Sequence, residues 1–578
     1  MVPILAQPPD DRPDAALQIL MPELLLGPLH RYGGTSDATV WVETDGPCEV
    51  ELRPEGAPAA RERTITVAGH HYALVRATGL PENAATPYEV ALDGVVRWPT
   101  PGSPFPPSSL RTHSGRGPLK IAFGSCRVCA PHEPPYTLRK DEDERGREVD
   151  AMRALALRMQ RADPADWPHA LLMLGDQVYA DEVSPGTREF IRSRRDTDVP
   201  PGEDIADFEE YTHLYREAWG EPVTRWLLST VPSAMIFDDH DVRDDWNTSG
   251  AWVRGMRGQG WWDRRITGGF MSYWLYQHWG NLSPEHLARD DLYLRARAAD
   301  DATALFEDFG YRADRDVSGT RWSFCRDLGA TRVVMMDTRA GRRLEPGARS
   351  MVDAREWSWI VEHARGGFDH LLLGTSLPLF LPPALHHLEA WNEAVCDGAW
   401  GALASHAAER LRQGLDLEHW AAFHGSLTAM CEHLRAVAAG EHGEPPATIV
   451  ALSGDVHHAY LAEVGFARDS VPNRPRAPVW QGVCSPFRNP LDANERRAIK
   501  AAWTPAATFA ARALSRAAGV PSPPVRWRLA HDEPWFDNQV AHIEIDGRDA
   551  RFVLEKAGPE EEHADHLRLD RTFEHTLG

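Results

Sequence analysis

Four apolar runs in this chain end in the same kind of punctuation, and that recurrence constrains the fold more than any other feature. The clearest is LLMLGDQVYAD at 171–181. Its four apolar residues suit a short buried strand, Gly175 allows a sharp turn, and Asp176 then stands at the strand's carboxyl end. Tyr179 and Asp181 follow on the same loop. The other three runs end in Gly124-Ser125-Cys126-Arg127, in Asp238-Asp239-His240-Asp241 and in Gly454-Asp455-Val456-His457-His458. Each strand would deliver one or two metal-capable side chains to the same edge of a sheet. Two cations held about 4 Å apart need a bridging carboxylate and several further donors, and these four strand ends carry that set.

Around these strands the chain divides by pattern. Residues 1–18 are rich in Pro and Asp and read as a flexible arm, and 19–112 as a small all-β sandwich, because short runs alternate apolar and polar residues between turn signals. The stretch at 80–88, Leu followed by Pro-Tyr, resembles the corner of fibronectin type III domains, where a Tyr hydroxyl bonds nearby backbone. A Pro-, Gly- and Ser-rich linker at 98–118 separates this unit from an α/β domain over 113–558, in which strands alternate with helical periodicity. Insertions at 246–290 and 381–445 follow strand ends; they serve either as walls of a pocket or as aromatic packing away from it. The basic amphipathic stretch 495–519 reads as a packed helix, 535–558 as a hairpin around Asp546-Gly547, and 559–578 as a fraying tail.

Composition excludes several functions. A net charge of −23 over 578 residues leaves no basic face for nucleic acid. No apolar run is long enough to span a bilayer. Seven Cys without short regular spacings argue against a disulfide scaffold, and no secretory or twin-arginine signal is read at the N-terminus, so the expected location is cytoplasmic.

In this order, GSC, GDQVY, DDHD and SGDVHH resemble the PhoD-like (alkaline phosphatase D) branch of the calcineurin-like metallophosphatases, over about residues 119–490. The resemblance implies a two-layered-sheet α/β metallophosphatase domain preceded by a fibronectin- or immunoglobulin-like sandwich. It implies that Asp176 bridges two metals, that Cys126, Tyr179 and His457 complete the first site, and that Asp239 and Asp455 help complete the second. It points to Fe³⁺ and Ca²⁺, with Mg²⁺, Mn²⁺ or Zn²⁺ as alternatives. Where the superfamily has a separate fourth-motif His, this chain has GTSLP, so Thr375, Ser376 or water would substitute.

The expected activity is phosphoric-ester hydrolysis of the phosphomonoesterase type by a metal-activated hydroxide. His240 would donate a proton to the leaving oxygen, and Arg127 and Arg339 would clamp phosphate. Two alternatives remain at this point: phosphodiesterase or phospholipase D-like activity from the same site, and a catalytically silent binding protein. Asp238 and Asp241 are expected to cap or ion-pair, His458 to lie outside the ligand set, and His386 and His387 to lie away from the site. Substrate identity and oligomeric state stay open.

Overall fold

The alternating runs of the first hundred residues fold into two facing sheets. In the computed structural model, which describes residues 21–466, 475–560 and 563–578, one sheet joins Leu24–Gly33, Asp37–Thr44, His70–Thr78 and Ile65–Val67, in that order. The other joins Ala60–Arg63, Glu49–Pro54, Ala85–Leu92 and Val95–Trp98. Val40 and Val42 meet Val50, Leu52, Val90 and Leu92 between them. The arm expected at 1–18 lies outside the described residues.

Alternation would leave the outer face of the first sheet polar and wet, but here it is buried too. Leu29, Trp41 and Tyr72 enter the largest core of the α/β domain, beside Tyr215, Tyr276 and Trp279. Glu43 accepts a hydrogen bond from Arg216 at 2.6 Å, and Arg31 donates to the carbonyls of Tyr276 and Gln277 at 2.6 and 2.8 Å. The expected tyrosine corner is turned to the same purpose. Tyr88 donates at 2.7 Å to the carbonyl of Ser229 in the α/β domain, not to backbone nearby in sequence.

The sandwich is therefore part of the larger core rather than an appendage. Each ring on the shared face buries ~150–250 Å², worth roughly 4–6 kcal/mol at about 25 cal/mol per Å². A chain beginning at Leu119 is expected to aggregate on expression. Recovery of that chain as a soluble species with the melting temperature of the full protein would show the face to be dispensable.

The α/β domain contains two stacked sheets. The first runs Ser233–Ile236, Ala170–Leu174, Leu119–Gly124, Gln539–Asp546, Asp549–Glu560 and His563–Thr576; its first three strands are parallel and the rest antiparallel. The second runs Phe324–Leu328, Thr331–Met336, His370–Thr375, Thr448–Ser453, Val479–Val483, Tyr460–Phe466 and Val525–Leu529. Ile121, Phe123, Leu172 and Leu174 pack between the layers against Val333, Met335, Leu372, Val450 and Leu452. These parallel strands are buried on both faces, which is why they read as unbroken apolar runs.

Three expectations change here. The segment 559–578 is not a tail: His563–Thr576 pairs along Asp549–Glu560 and closes the sheet. The four motif-bearing strands do not share one sheet. Three lie in the first, and Thr448–Ser453 lies in the second, so the motifs meet at the carboxyl ends of two layers. The segment after residue 246 is mostly packing, because Trp262, Phe270, Tyr273, Trp274 and Trp279 belong to the large core. The basic stretch near residue 500 forms two helices, Ala493–Ala502 and Pro505–Ala517. Among the described residues no helix is long and apolar enough to cross a membrane.

Candidate metal centre

Close approach of the two layers requires the glycines in the motifs. A Cβ on Gly454 would lie 2.1 Å from Ser125 Oγ. Gly175 has φ +115°, and a Cβ there would lie 2.9 Å from the Cβ of Asp238, which follows a strand of its own sheet, and 3.1 Å from that of Ser376, which follows a strand of the other. Cys126, Asp176, Asp455 and His457 all have positive φ, between 49° and 65°. Such backbone is costly for residues with a side chain and persists where its surroundings hold it, commonly at functional sites.

These turns bring the side chains together. Sγ of Cys126, a carboxylate oxygen of Asp176 and a ring nitrogen of His457 lie within 4.8 Å of one another, and so do carboxylate oxygens of Asp176, Asp239 and Asp455. Asp176 belongs to both groups. Tyr179 donates to Asp176 Oδ2 at 3.3 Å and accepts from Asn489 Nδ2 at 3.2 Å. A third group, Asp239, His240 and Asp244, lies at the more open side.

The donor set fits cations. Asp176 is 1% exposed, and its Oδ1 has no hydrogen-bond partner. A buried carboxylate oxygen without a partner is expensive unless a cation faces it. Burial, above all, pushes the pKa values of Asp176, Cys126 and Tyr179 far up, and that of Asp239 up to about 7. Burial lowers His457 to about 3, which keeps its imidazole neutral and able to ligate. A cation would reverse the shifts of the acids by stabilising their anions.

The two arginines do not serve as the sequence suggested. Arg127 points away from the centre: it donates to Asp150 Oδ2 at 2.8 Å, the Ala218 carbonyl at 2.7 Å and Thr224 Oγ1 at 3.0 Å. Arg339 lies at the centre but is fully committed. It contacts Asp238 and Glu418, donates to Asp239 Oδ1 at 3.0 Å, and lies 3.6 Å from Asp455 Oδ1. Neither guanidinium is free to clamp phosphate; Arg339 instead offsets the charge of the second group of acids.

The remaining residues fall as follows. His240 approaches Asp181 Oδ1 through Nδ1 at 2.9 Å and stacks on Tyr179, with ring centroids 4.5 Å apart. Burial opposes charge on His240, but Asp181, Asp239 and Asp176 outweigh it and hold its pKa well above the usual imidazole range. His458 turns its Nδ1 to the Val456 carbonyl and stacks on Tyr460. His386 packs on Trp527, and His387 accepts from Arg512. Asp238 pairs with Arg339, while Asp241 accepts from the backbone of Val178 and Asp238. Thr375 and Ser376 bond to Leu377 and Thr338.

Comparison with known proteins bears on this geometry. The family model described as PhoD-like phosphatase matches residues 157–518. The chain belongs to the PhoD-like phosphatase family. It is a phosphatase of the metal-dependent kind, and Asp176, Tyr179, Asp239, His240, Asp455 and His457 fall inside the matched range, whereas Cys126 precedes it. A second family model, Domain of unknown function (DUF7800), matches residues 21–110.

Among solved structures, "Structure of PhoD" aligns over 96% of this chain and 90% of its own length, at 11% identity and a TM-score of 0.59. The purple acid phosphatase PPD1 from yellow lupin (Lupinus luteus) seeds aligns over 96% of this chain and 74% of its own, at 10% identity and a TM-score of 0.49. No match was found among curated protein sequences.

Three partners of the site in this PhoD-like phosphatase carried no signal in the sequence. Asn489 holds the Tyr179 oxygen. Glu418 binds Arg339 and Arg342. His419 reaches Asp455. All three sit on loops outside the four motifs, where nothing in spacing or composition marks them.

Proposed function

We propose that this phosphatase is a phosphomonoesterase of the alkaline phosphatase D type that works with two cations sharing Asp176. The observation that carries the proposal is the membership of Asp176 in both ligand groups, with a buried oxygen that no protein donor satisfies. Cys126, Tyr179 and His457 would hold the first cation with Asp176; Asp239 and Asp455 would hold the second. Bound there, the cations would draw phosphoryl oxygens and acidify water.

The chain's own residues then have separate tasks. Arg339 keeps Asp239 and Asp455 from repelling one another. Asn489 orients the Tyr179 oxygen. Asp181 orients His240, whose other nitrogen stands toward the open side, 3.7 Å from Asp244. His240 would give its proton to the departing oxygen. With Arg127 and Arg339 both engaged, substrate anions depend on the cations and His240 for positive charge.

A panel of phosphate esters, run with elemental analysis, tests this reading. An aryl monophosphate should turn over faster than a bis-aryl phosphate. The opposite ratio would favour the diesterase, and bound metal without turnover of any ester would favour a silent binding protein.

The ligand types also lead to an expectation about metal identity. Free phenol and thiol ionise only near pH 10 and 8.5, so binding both as anions calls for a strongly polarising ion. With Asp176 they make three anionic ligands, which suits Fe³⁺, and the oxygen-rich second group suits Ca²⁺. Active protein should therefore be coloured and contain about one iron per chain, because phenolate and thiolate give visible charge-transfer bands with Fe³⁺ and none with closed-shell ions. Tyr179→Phe should shift or bleach the band without unfolding the chain. A fully active, colourless, iron-free preparation would overturn the assignment of iron.

A further inference from the structure

The segment after the strand His370–Thr375 brings a buried carboxylate and a partly buried histidine to the second ligand group from outside. Glu389, on the helix Pro383–Cys396, is 2% exposed. Its Oε1 lies 2.8 Å from His419 Nδ1, and His419 Nε2 lies 3.1 Å from Asp455 Oδ2. His419 thus stands between two carboxylates, with Glu389 at Nδ1 and Asp455 at Nε2. It arrives at the second group of acids from outside the four motifs, where its Nε2 meets Asp455.

The neighbouring residue strengthens the arrangement. Glu418 binds Arg339 and Arg342, and Arg339 in turn contacts Asp239 and Asp455. Residues 418 and 419 therefore hold the second group through two separate bridges, one to Asp455 directly and one through Arg339. The other oxygen of Glu389, Oε2, has no hydrogen-bond partner. A buried carboxylate is costly on its own, and His419 is the partner that stands against it. The cost makes sense if the pair does something that a packed apolar contact could not.

We propose that Glu389 and His419 are positioning residues for the second cation: His419 engages Asp455 Oδ2 and so fixes how that carboxylate is presented to the metal. The proposal rests on the two-cation reading above and adds to it the way the second site is tuned. Donors behind a ligating carboxylate fix its orientation, and their loss typically weakens metal binding 10–100-fold. Here the donor comes from an insertion rather than from the strand-end motifs, so the second cation depends on a segment the motifs do not define.

The test uses the full chain as purified, dialysed against a chelator to remove the labile cation and then titrated with Ca²⁺ alone. His419→Ala should raise the Ca²⁺ dissociation constant about 10–100-fold while tightly held metal, measured by elemental analysis, and the visible spectrum stay as in the wild type. His419→Gln, which keeps an N–H donor, should recover part of the affinity, and Glu389→Gln should fall between. Glu393→Gln lies on the same helix but pairs with Arg349 and Arg412, so it should leave Ca²⁺ affinity unchanged.

Unchanged Ca²⁺ affinity in folded His419→Ala or Glu389→Gln would overturn the proposal. So would a parallel loss of both metals, or equal weakening by Glu393→Gln, since either would indicate a general structural effect. If His419→Ala does not fold, Glu389→Gln alone decides. A wild-type chain with no labile Ca²⁺ step would overturn the two-cation reading and this proposal together. A chain that binds Ca²⁺ in the predicted pattern but hydrolyses no ester would overturn only the proposed activity.

Discussion

Asp176→Ala should abolish phosphatase activity and strip the protein of both metals at once. Turnover is expected to fall by at least about 10⁴-fold, more than the loss of a single proton donor would bring, because the substitution removes the side chain that the two proposed cation sites share. Asp176 stands in both ligand groups, and its side chain is the point where the first sheet's loop meets the second sheet's. Asp176→Asn should be nearly as damaging, since it keeps the shape but removes the charge that the cations need. The fold should survive both changes: a buried acid crowded by Asp239, Asp241 and Asp455 is relieved when its charge is removed. Elemental analysis beside a thermal melt checks this. Retention of either metal at wild-type level in folded Asp176→Ala would show that the two groups do not share this ligand.

The four strand ends were legible in the sequence because the constraints on them are local. An apolar run, a glycine and a carboxylate specify a strand, a turn and a rim residue without help from the rest of the chain. Gly175 takes the positive φ that a sharp turn there calls for, and Gly454 stands where a Cβ would collide with Ser125. The side chains beside the ligands are less legible. Adjacent residues at a strand end point apart, so Arg127, next to Cys126, turns into the helical layer and meets Asp150.

Arg339 was placed correctly but its task was not, because its partners Asp238 and Glu418 are about eighty or more residues away in sequence. Pairing into different sheets is equally invisible from one strand at a time: the period of Thr448–Ser453 is that of any buried parallel strand. Tyr88 illustrates the same limit at the domain boundary. Its motif is that of a corner, yet its hydroxyl is taken by Ser229 because the two units share a core. Whatever depends on which distant segment arrives, as with His419, carries no local signature.

His240→Ala is the second change expected to have a large effect, of roughly 10²–10⁴-fold on turnover. The proposed mechanism gives His240 a narrower task than metal binding. Its Nδ1 is occupied by Asp181 at 2.9 Å, its face rests on Tyr179, and Nε2 remains toward the open side. An imidazole held this way by a carboxylate has its orientation fixed and its proton available at one atom. A leaving group of high basicity needs that proton most, so the loss should be largest for alkyl phosphates and smaller for an aryl phosphate with a stable anion. Asp181→Asn should reproduce part of the effect, because it leaves the imidazole in place while weakening the carboxylate that orients it. Metal content should stay at the wild-type level in both variants, which separates proton donation from ligation. Equal losses on alkyl and aryl esters would indicate that His240 binds the phosphoryl group instead. Unchanged alkyl-ester turnover, with metals intact, would remove it from the reaction.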